Sequence, residues 1–172
     1  MRYTLPAIGL SMALAMVSSS SFSQAPSYVV DPRSTALLDE GYEAQKAEDF
    51  DAATDYYEAA LAVDPGNRAA YIALAQIARA QRLPGKAVRL YREALALNPN
   101  DVGALAGQGE ALIQRGAVEK ARRNLARIEA LCGSECKEKD QLLAALDKHD
   151  AAPVLSAEAV KVSPTVSSSE QP

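Results

Sequence analysis

The sequence predicts an all-α protein: a short solenoid of three helix-turn-helix units, closed by a C-terminal capping helix. Three observations favour this fold class. The stretch YEAALAVDPGN, from Tyr57, returns 34 residues later as YREALALNPND, from Tyr91. Aromatic residues make up only 5 % of the 172-residue chain, which has no Trp, and its many Ala and Leu residues favour closely packed helices. In the helix predicted to contain the second copy, Ala87, Tyr91 and Ala94 recur at helical spacing and form one apolar face.

Residues 1–25 have the pattern of a secretory signal peptide, with cleavage near residues 23–25. Arg2 supplies a short positive region, residues 5–17 are apolar, and small residues follow. The apolar stretch is too short to span a bilayer; an uncleaved anchor or a chance apolar start is the alternative. We therefore expect a periplasmic or secreted protein, with no integral membrane segment after cleavage. Residues 26–33 should lead into the fold without much structure.

The repeat divides the following chain into units 34–67, 68–101 and 102–135. Two columns of the aligned units hold small residues, which let antiparallel helices approach closely, and a third holds large apolar residues, which fill the space around that contact. These columns are Gly41, Ala75 and Gly109; Ala53, Ala87 and Ala121; and Tyr57, Tyr91 and Leu125. Pro65 and Pro99 end units one and two, because proline cannot continue a helix.

These columns resemble the tetratricopeptide repeat (TPR) family and, with the signal-like N-terminus, an exported bacterial member of it. The resemblance spans residues 34 to about 131. It implies an α-solenoid, in which hairpins stack because one hairpin cannot bury its apolar face alone. Unit three is divergent, since Leu125 replaces the aromatic residue and Gly133 stands in the proline column. A helical bundle with accidental periodicity is the alternative.

The cap is predicted over residues 136–149, followed by a disordered tail over 150–172, where large apolar residues are few. A tail that recruits a partner is the alternative. The apolar stripe of the cap consists of Leu142, Leu143 and Leu146. In an oxidising compartment Cys132 and Cys136 should form a structural disulfide; a redox pair, free thiols and metal ligation are the alternatives.

No residue pattern in the sequence predicts catalysis or a cofactor. The chain has no Gly-rich phosphate loop, no metal-ligand spacing and no nucleophile elbow. The single histidine, His149, fits a solvated helix end, where the helix dipole favours it. The net charge of −4 gives the whole chain no electrostatic attraction for nucleic acid. We therefore expect a protein that is not an enzyme and does not bind nucleic acid, a metal or a cofactor.

Charge is distributed unevenly between the units. Unit one has nine acidic residues and one basic residue, a net charge of −8, whereas unit two has six basic and two acidic residues, a net charge of +4. Asp55 and Arg89 share one column, and Glu58 and Arg92 share another, which predicts exposed ion pairs between stacked helices. The alternative is a basic surface that binds an anionic partner. It would consist of Lys86, Arg89, Arg92, Lys120 and Arg123.

The TPR resemblance also implies a concave groove, lined by the first helices, that binds peptides or partner helices. Carried over to this chain, the groove consists of Leu38, Tyr42, Gln45, Ile72, Gln76, Arg79, Glu110 and Ile113. Leu38, Tyr42 and Ile72 would be its apolar anchors, unless segment 26–33 covers them. Some TPR domains grip the terminal carboxylate of a chaperone with Lys, Arg and Asn. This chain has Asp39, Ala73 and Gly107 among the corresponding positions, so capture of chaperone C-termini is not predicted.

The predicted function is therefore protein–protein interaction, as an adaptor or scaffold in the cell envelope for an unidentified protein or peptide. The alternative is an accessory protein that binds a small ligand or a cell-wall fragment, which would require a closed pocket with convergent polar groups. A hydrolase or redox function is the third hypothesis and the weakest, because no nucleophile–base pair occurs.

Overall fold

The computed structural model describes residues 28–132 and 136–151. Within these ranges the chain forms seven α-helices and no strand. They are α1 (Pro32–Lys46), α2 (Phe50–Val63), α3 (Arg68–Ala80), α4 (Pro84–Leu97), α5 (Val102–Gln114), α6 (Val118–Leu131) and α7 (Lys137–Asp150). The first six pair as three antiparallel hairpins and α7 packs on α5 and α6, so the predicted all-α solenoid is confirmed. The predicted signal peptide, residues 133–135 and the tail beyond residue 151 lie outside the described residues.

Polar side chains cap the first helix of each unit. Asp31, Asn67 and Asp101 accept hydrogen bonds from backbone N–H groups two or three residues ahead, at 2.8, 3.4 and 2.8 Å. Each bond satisfies a donor that has no partner inside its helix. Pro32 follows Asp31 at the first helical position, where proline loses no hydrogen bond. Helix α1 therefore begins two residues before the predicted unit boundary at residue 34.

The segment before α1 is anchored, whereas the sequence predicted a lead-in with little structure. The Tyr28 hydroxyl donates a hydrogen bond to the Asp64 carboxylate, and the backbone N–H of Asp31 donates to its other oxygen at 2.8 Å. The Tyr28 ring lies so close over Gly66 that a Cβ there would collide with it. These contacts hold residues 28–31 at the turn between α2 and α3. Tyr42 lies near the opposite end of α1, away from these contacts.

Small residues set the distance between helices. Ala53, Ala87 and Ala121, which share one column of the repeat, are fully buried. The Tyr57 ring lies directly on the backbone of Gly41, where a Cβ would stand 2.5 Å from the Tyr57 Cδ1. Tyr91 packs in the same way on Gly107 of the next unit, and Leu142 of the cap on Gly109. Glycine is required at these positions because a large side chain occupies the space of a Cβ.

Buried hydrogen bonds join the first hairpin to the residue that caps α3. The Ser34 hydroxyl donates to the Ala60 carbonyl oxygen at 2.8 Å, and the Asn67 side-chain amide donates to the Ser34 Oγ at 2.8 Å. Ser34 is completely buried and Asn67 is 2 % exposed. Because buried polar groups are stable only when they are paired, this chain of bonds holds α1, α2 and the start of α3 together.

The cap differs in detail from its prediction. Cys132 and Cys136 form a disulfide that joins the end of α6 to the start of α7, with their Cα atoms 5.8 Å apart. Leu142 and Leu146 are buried, but Leu143 is 42 % exposed, because each residue of a helix is rotated by about 100° from its neighbour. Helix α7 continues to Asp150, beyond the predicted end at 149. There the Asp150 carboxylate accepts a hydrogen bond from Arg122 at 2.6 Å.

A left-handed residue occupies the hairpin turn of every unit. These residues are Glu48, Arg82 and Gly116, with φ angles of 61°, 59° and 75°, and they stand 34 residues apart. The left-handed region favours glycine, since a Cβ there crowds the following carbonyl oxygen. Only the third unit has the residue that the turn prefers.

Glu48→Gly is therefore expected to stabilise the protein by about 0.5–1 kcal/mol, because relief of the left-handed strain exceeds the entropy cost of glycine. Urea unfolding followed by circular dichroism measures the change. In Glu58→Gly the same residues are exchanged at an exposed position inside α2, where glycine should cost about 1 kcal/mol. Destabilisation by Glu48→Gly would contradict the strain assigned to this turn.

Candidate functional site

The first helices of the units lie on the inner side of the solenoid. Helix α3 packs against α5, and α5 packs against α7, whereas no contact of similar extent joins α2, α4 and α6 in the described ranges. Helices that converge lie on the inside of a curve, and helices that diverge lie on its outside. The exposed faces of α3 and α5 therefore lie on the concave side. Helix α1 holds the same position in unit one, and its Leu38 packs with residues of α3. We call the surface formed by the exposed faces of α1, α3 and α5 the groove.

Tyr42 is the most prominent apolar side chain of the groove. It is 36 % exposed, and its ring meets the buried Tyr57 edge-on, with the ring centroids 5.6 Å apart and the planes at 70°. The Tyr57 hydroxyl donates to the Gln45 Oε1 at 2.8 Å. An open recess of about 450 Å³ adjoins these residues on α1. Its lining is Asp39, Tyr42, Glu43, Gln45 and Lys46.

Burial keeps the tyrosines of this region protonated. The pKa of Tyr42 is raised, first by burial and then by the charge of Asp39. Burial likewise raises the pKa of Tyr57, with a smaller effect from Tyr42. The pKa of Tyr91, beneath α5, is raised by burial and partly lowered again by the neighbouring Arg79 guanidinium. All three hydroxyls therefore remain hydrogen-bond donors at neutral pH.

Arg79 and Glu110 lie together at the centre of the groove. The Arg79 guanidinium on α3 forms an ion pair with the Glu110 carboxylate on α5, and both side chains are about three-quarters buried, with 26 % and 23 % of their surface exposed. The structure thus brings two predicted groove residues into contact with each other. Each charge is compensated before any partner arrives.

Leu38 is not an exposed anchor, contrary to the prediction. It is only 8 % exposed and belongs to the core formed with Ala53, Tyr57 and the small residues of α3. Ala70 and Ala73 leave room for α3 to approach, and this approach covers Leu38. Ile72 and Ile113 are half-buried against the core of the second and third units. Among the predicted groove residues, Tyr42 and Gln76 are the two that remain exposed.

A basic cleft, which sequence analysis anticipated only in part, lies between the second helices α4 and α6. It has a volume of about 410 Å³, and its floor consists of Leu112 on α5 and Val88 on α4. Its basic side chains are Arg92, Arg115, Lys120, Arg123 and Arg127, and no acidic residue from the part of the chain that the structure describes lines it. The two inter-repeat ion pairs predicted from the columns, Asp55 with Arg89 and Glu58 with Arg92, do not form. The cause is geometric, since the second helices diverge on the outer side of the solenoid.

Two further properties of the described residues bear on function. No group of His, Cys, Asp or Glu side chains in ranges 28–132 and 136–151 has the arrangement of a metal site. None of the seven helices in these ranges has the length and apolar character needed to cross a membrane.

Family profiles decide the assignment of the chain. One tetratricopeptide repeat profile matches residues 38–101, and a second tetratricopeptide repeat profile matches residues 78–131. The chain belongs to the TPR family. Together the two matches extend across all three hairpins that the structure contains. Among curated proteins, none matches the chain significantly in sequence.

Solved structures of TPR domains have the same fold. The first TPR of Spaghetti (RPAP3), bound to the HSP90 peptide SRMEEVD, aligns with a TM-score of 0.64 and 20 % identity, covering 72 % of this chain and 100 % of that one. The TPR domain of Arabidopsis OM64 aligns with a TM-score of 0.62 and 19 % identity, covering 68 % and 96 %. A Thermobaculum terrenum O-GlcNAc transferase variant gives 0.60 and 27 %, covering 66 % of this chain but 22 % of the enzyme.

Two positions that correspond to the chaperone carboxylate clamp cannot hold clamp residues in this groove. Ala73 is 1 % exposed, and Gly107 lies beneath the Tyr91 ring. Neither position can present a Lys, Arg or Asn side chain to a peptide without displacing its neighbours. Binding of the HSP90 peptide seen in the Spaghetti domain is therefore not inferred for this chain.

Proposed function

We propose that the chain is a non-enzymatic interaction module of the cell envelope, which holds an extended segment or a helix of a partner protein in its groove. Membership of the TPR family supports the general class, since two TPR domains of similar fold are solved with a peptide bound. The binding surface would be Tyr42 and Gln76, with the half-buried Ile72, Ile113 and the Arg79–Glu110 pair beside them.

The observation that carries this proposal is the position of Tyr42. Its ring is fixed by edge-on contact with Tyr57, yet more than a third of the residue remains open to solvent. A tyrosine held in place loses little conformational entropy on binding and offers both an apolar face and a hydroxyl donor. Such residues are enriched among those that dominate binding energy at protein interfaces.

An extracytoplasmic location is supported by two features of the sequence. Residues 1–25 match the signal-peptide pattern, and Cys132 and Cys136 are placed to form a disulfide, which persists in oxidising compartments. Adaptors of the cell envelope operate under these conditions. The partner is accordingly proposed to be an extracytoplasmic protein or the exposed segment of a membrane protein.

In-cell crosslinking of the tagged protein, followed by mass spectrometry, tests the groove. Tyr42→Ala combined with Gln76→Ala removes the two exposed groove side chains. The control, Tyr56→Ala combined with Gln81→Ala, removes one tyrosine and one glutamine outside the proposed binding surface. Tyr56 is 37 % exposed, nearly the same as Tyr42. We expect a partner recovered with wild type and the control to be reduced by about tenfold or more with the groove variant, because interface tyrosines often contribute more than about 2 kcal/mol.

Equal recovery by both variants would contradict docking in the groove. Thermal unfolding of both variants within a few degrees of wild type is the required control, since both side-chain pairs are exposed. If no protein depends on the groove and a cell-wall fragment stabilises wild type in thermal unfolding, the accessory-protein hypothesis replaces this proposal.

A further inference from the structure

The cleft between α4 and α6 concentrates positive charge on the outer side of the solenoid. Arg92 forms one wall, Lys120, Arg123 and Arg127 the other, and Arg115 lies at the α5–α6 turn. The three residues of α6 are spaced three and four apart, so they share one side of that helix. From Lys120 to Arg127 this row extends about 10 Å along the axis.

The positive charge of the cleft is not compensated within the described part of the chain. Arg92, Arg115, Lys120 and Arg123 form no ion pair with any residue in ranges 28–132 and 136–151. Arg127 donates to the Pro99 carbonyl oxygen at 2.6 Å, which leaves its charge without an opposing carboxylate. Like charges across a narrow cleft repel one another, and an anionic ligand would relieve this repulsion.

Buried contacts hold the walls of the cleft in place. The Asn124 side-chain amide on α6 donates to the Leu105 carbonyl oxygen and to the Gln108 Oε1 on α5, each at 3.0 Å. Val88 and Leu112, which form the floor, are 5 % and 6 % exposed. Because α4 and α6 both pack on α5, the width of the cleft is set by the core. A ligand therefore meets a preformed site with an aliphatic floor and a basic rim.

We propose that this cleft binds an acidic segment of a partner protein in extended conformation. Carboxylates spaced along such a segment would face Arg92 on one wall and Arg123 and Arg127 on the other, with an apolar side chain over Val88 and Leu112. The rim is basic on both sides, which complements a strand-like ligand with acidic side chains on both edges. The cleft lies on the outer layer of helices and the groove on the inner layer, so both can be occupied at once.

The test uses the purified protein and a short fluorescent peptide of alternating Glu and Leu residues, followed by fluorescence anisotropy. A peptide with Lys in place of Glu is the ligand control. Arg92→Glu combined with Arg123→Glu reverses both walls. Lys137→Glu combined with Lys148→Glu makes the same change in net charge at exposed residues of α7, outside the cleft. Arg92→Gln combined with Arg123→Gln is a milder variant in case charge reversal perturbs folding.

We expect wild type to bind the Glu peptide, with an affinity that falls as the salt concentration increases. Wild type should not bind the Lys peptide. The cleft variants should lose about tenfold or more in affinity, and the matched control about twofold or less. Equal loss in cleft and control variants would overturn the proposal, because the attraction would then be global. Failure of wild type to bind the Glu peptide would overturn it as well.

Two other outcomes would overturn the proposal and assign the cleft to a different ligand. Salt-dependent dimers in sedimentation that disappear in Arg92→Glu with Arg123→Glu, without peptide binding, would assign the cleft to the acidic α2 of a second copy. Binding to phosphatidylglycerol vesicles, lost in the same variant and again without peptide binding, would assign it to a membrane surface. The proposed groove function is tested by separate variants, so either proposal can fail alone.

Discussion

Gly107→Ala is expected to destabilise the protein by about 2–3 kcal/mol, although alanine is the better helix former. A Cβ at position 107 would stand 2.7 Å from the Tyr91 Cε1 and closer still to Cζ and the hydroxyl. Tyr91 is 1 % exposed and enclosed by the core of the second and third units, so its ring cannot move aside cheaply. The added methyl group must separate α5 from α4, and this separation weakens the stacking of unit three on unit two.

Urea unfolding measures this effect, and Gly103→Ala in the same helix is the matched control. The nearest atom to a Cβ at position 103 is the Asp101 Oδ1 at 3.4 Å, and the position is exposed. There alanine should stabilise by about 0.5–1 kcal/mol, through the lower entropy cost of folding. The two substitutions should therefore have opposite signs. If Gly107→Ala also stabilised the protein, this result would contradict the close contact between Tyr91 on α4 and Gly107 on α5. In a Tyr91→Leu background the penalty of Gly107→Ala should largely disappear.

Asn67→Ala is expected to cost about 2–3 kcal/mol, because one side chain serves two purposes. Its Oδ1 caps α3 by accepting from the Ala70 N–H, and its amide donates to the buried Ser34 Oγ. Loss of a cap costs about 1 kcal/mol, and loss of a buried hydrogen-bond donor costs about 1–2 kcal/mol more. The loss of stability should be greatest where α1, α2 and α3 meet.

Asp49→Ala is the control that separates the capping contribution of Asn67 from its bond to Ser34, because Asp49 only caps a helix. Asp49 caps α2 by accepting from the Ala52 N–H at 3.0 Å, but it is exposed, so its removal should cost only about 1 kcal/mol. Equal losses from Asn67→Ala and Asp49→Ala, measured by urea unfolding, would show that the Ser34 contact contributes nothing. Hydrogen exchange of the α1 amides should accelerate in Asn67→Ala and not in Asp49→Ala.

The repeat period accounts for most of the fold that could be predicted from sequence. Matched small residues such as Ala53 and Ala87 indicated where helices approach, and matched tyrosines indicated what fills the neighbouring space. The structure adds which glycine each ring meets. Tyr57 packs on Gly41 of its own unit, but Tyr91 packs on Gly107 of the next. The columns alone contain no information on that choice, because it depends on the distance between hairpins.

The candidate surfaces were less accessible to sequence reasoning. Columns placed Leu38 on the groove-facing side of α1, but the small residues of α3 allow a close approach that buries it. Pairing of Asp55 with Arg89 was inferred from shared columns, yet the second helices diverge and their side chains do not meet. Arg115 and Arg127 join the basic cleft only in three dimensions. The signal available in the sequence was the predicted basic surface, which already included Arg92, Lys120 and Arg123.

Site-specific photocrosslinking in cells tests the central claim most directly. A photoreactive amino acid at Gln76, exposed on the inner helix α3, samples the groove, and the same amino acid at Glu58, exposed on the outer helix α2 and outside the basic cleft, samples the opposite surface. Groove docking predicts a discrete crosslinked partner from position 76 that is absent from position 58 and is lost when Tyr42 is replaced by Ala. Crosslinks of the same partner from both positions, or from position 58 alone, would contradict docking in the groove.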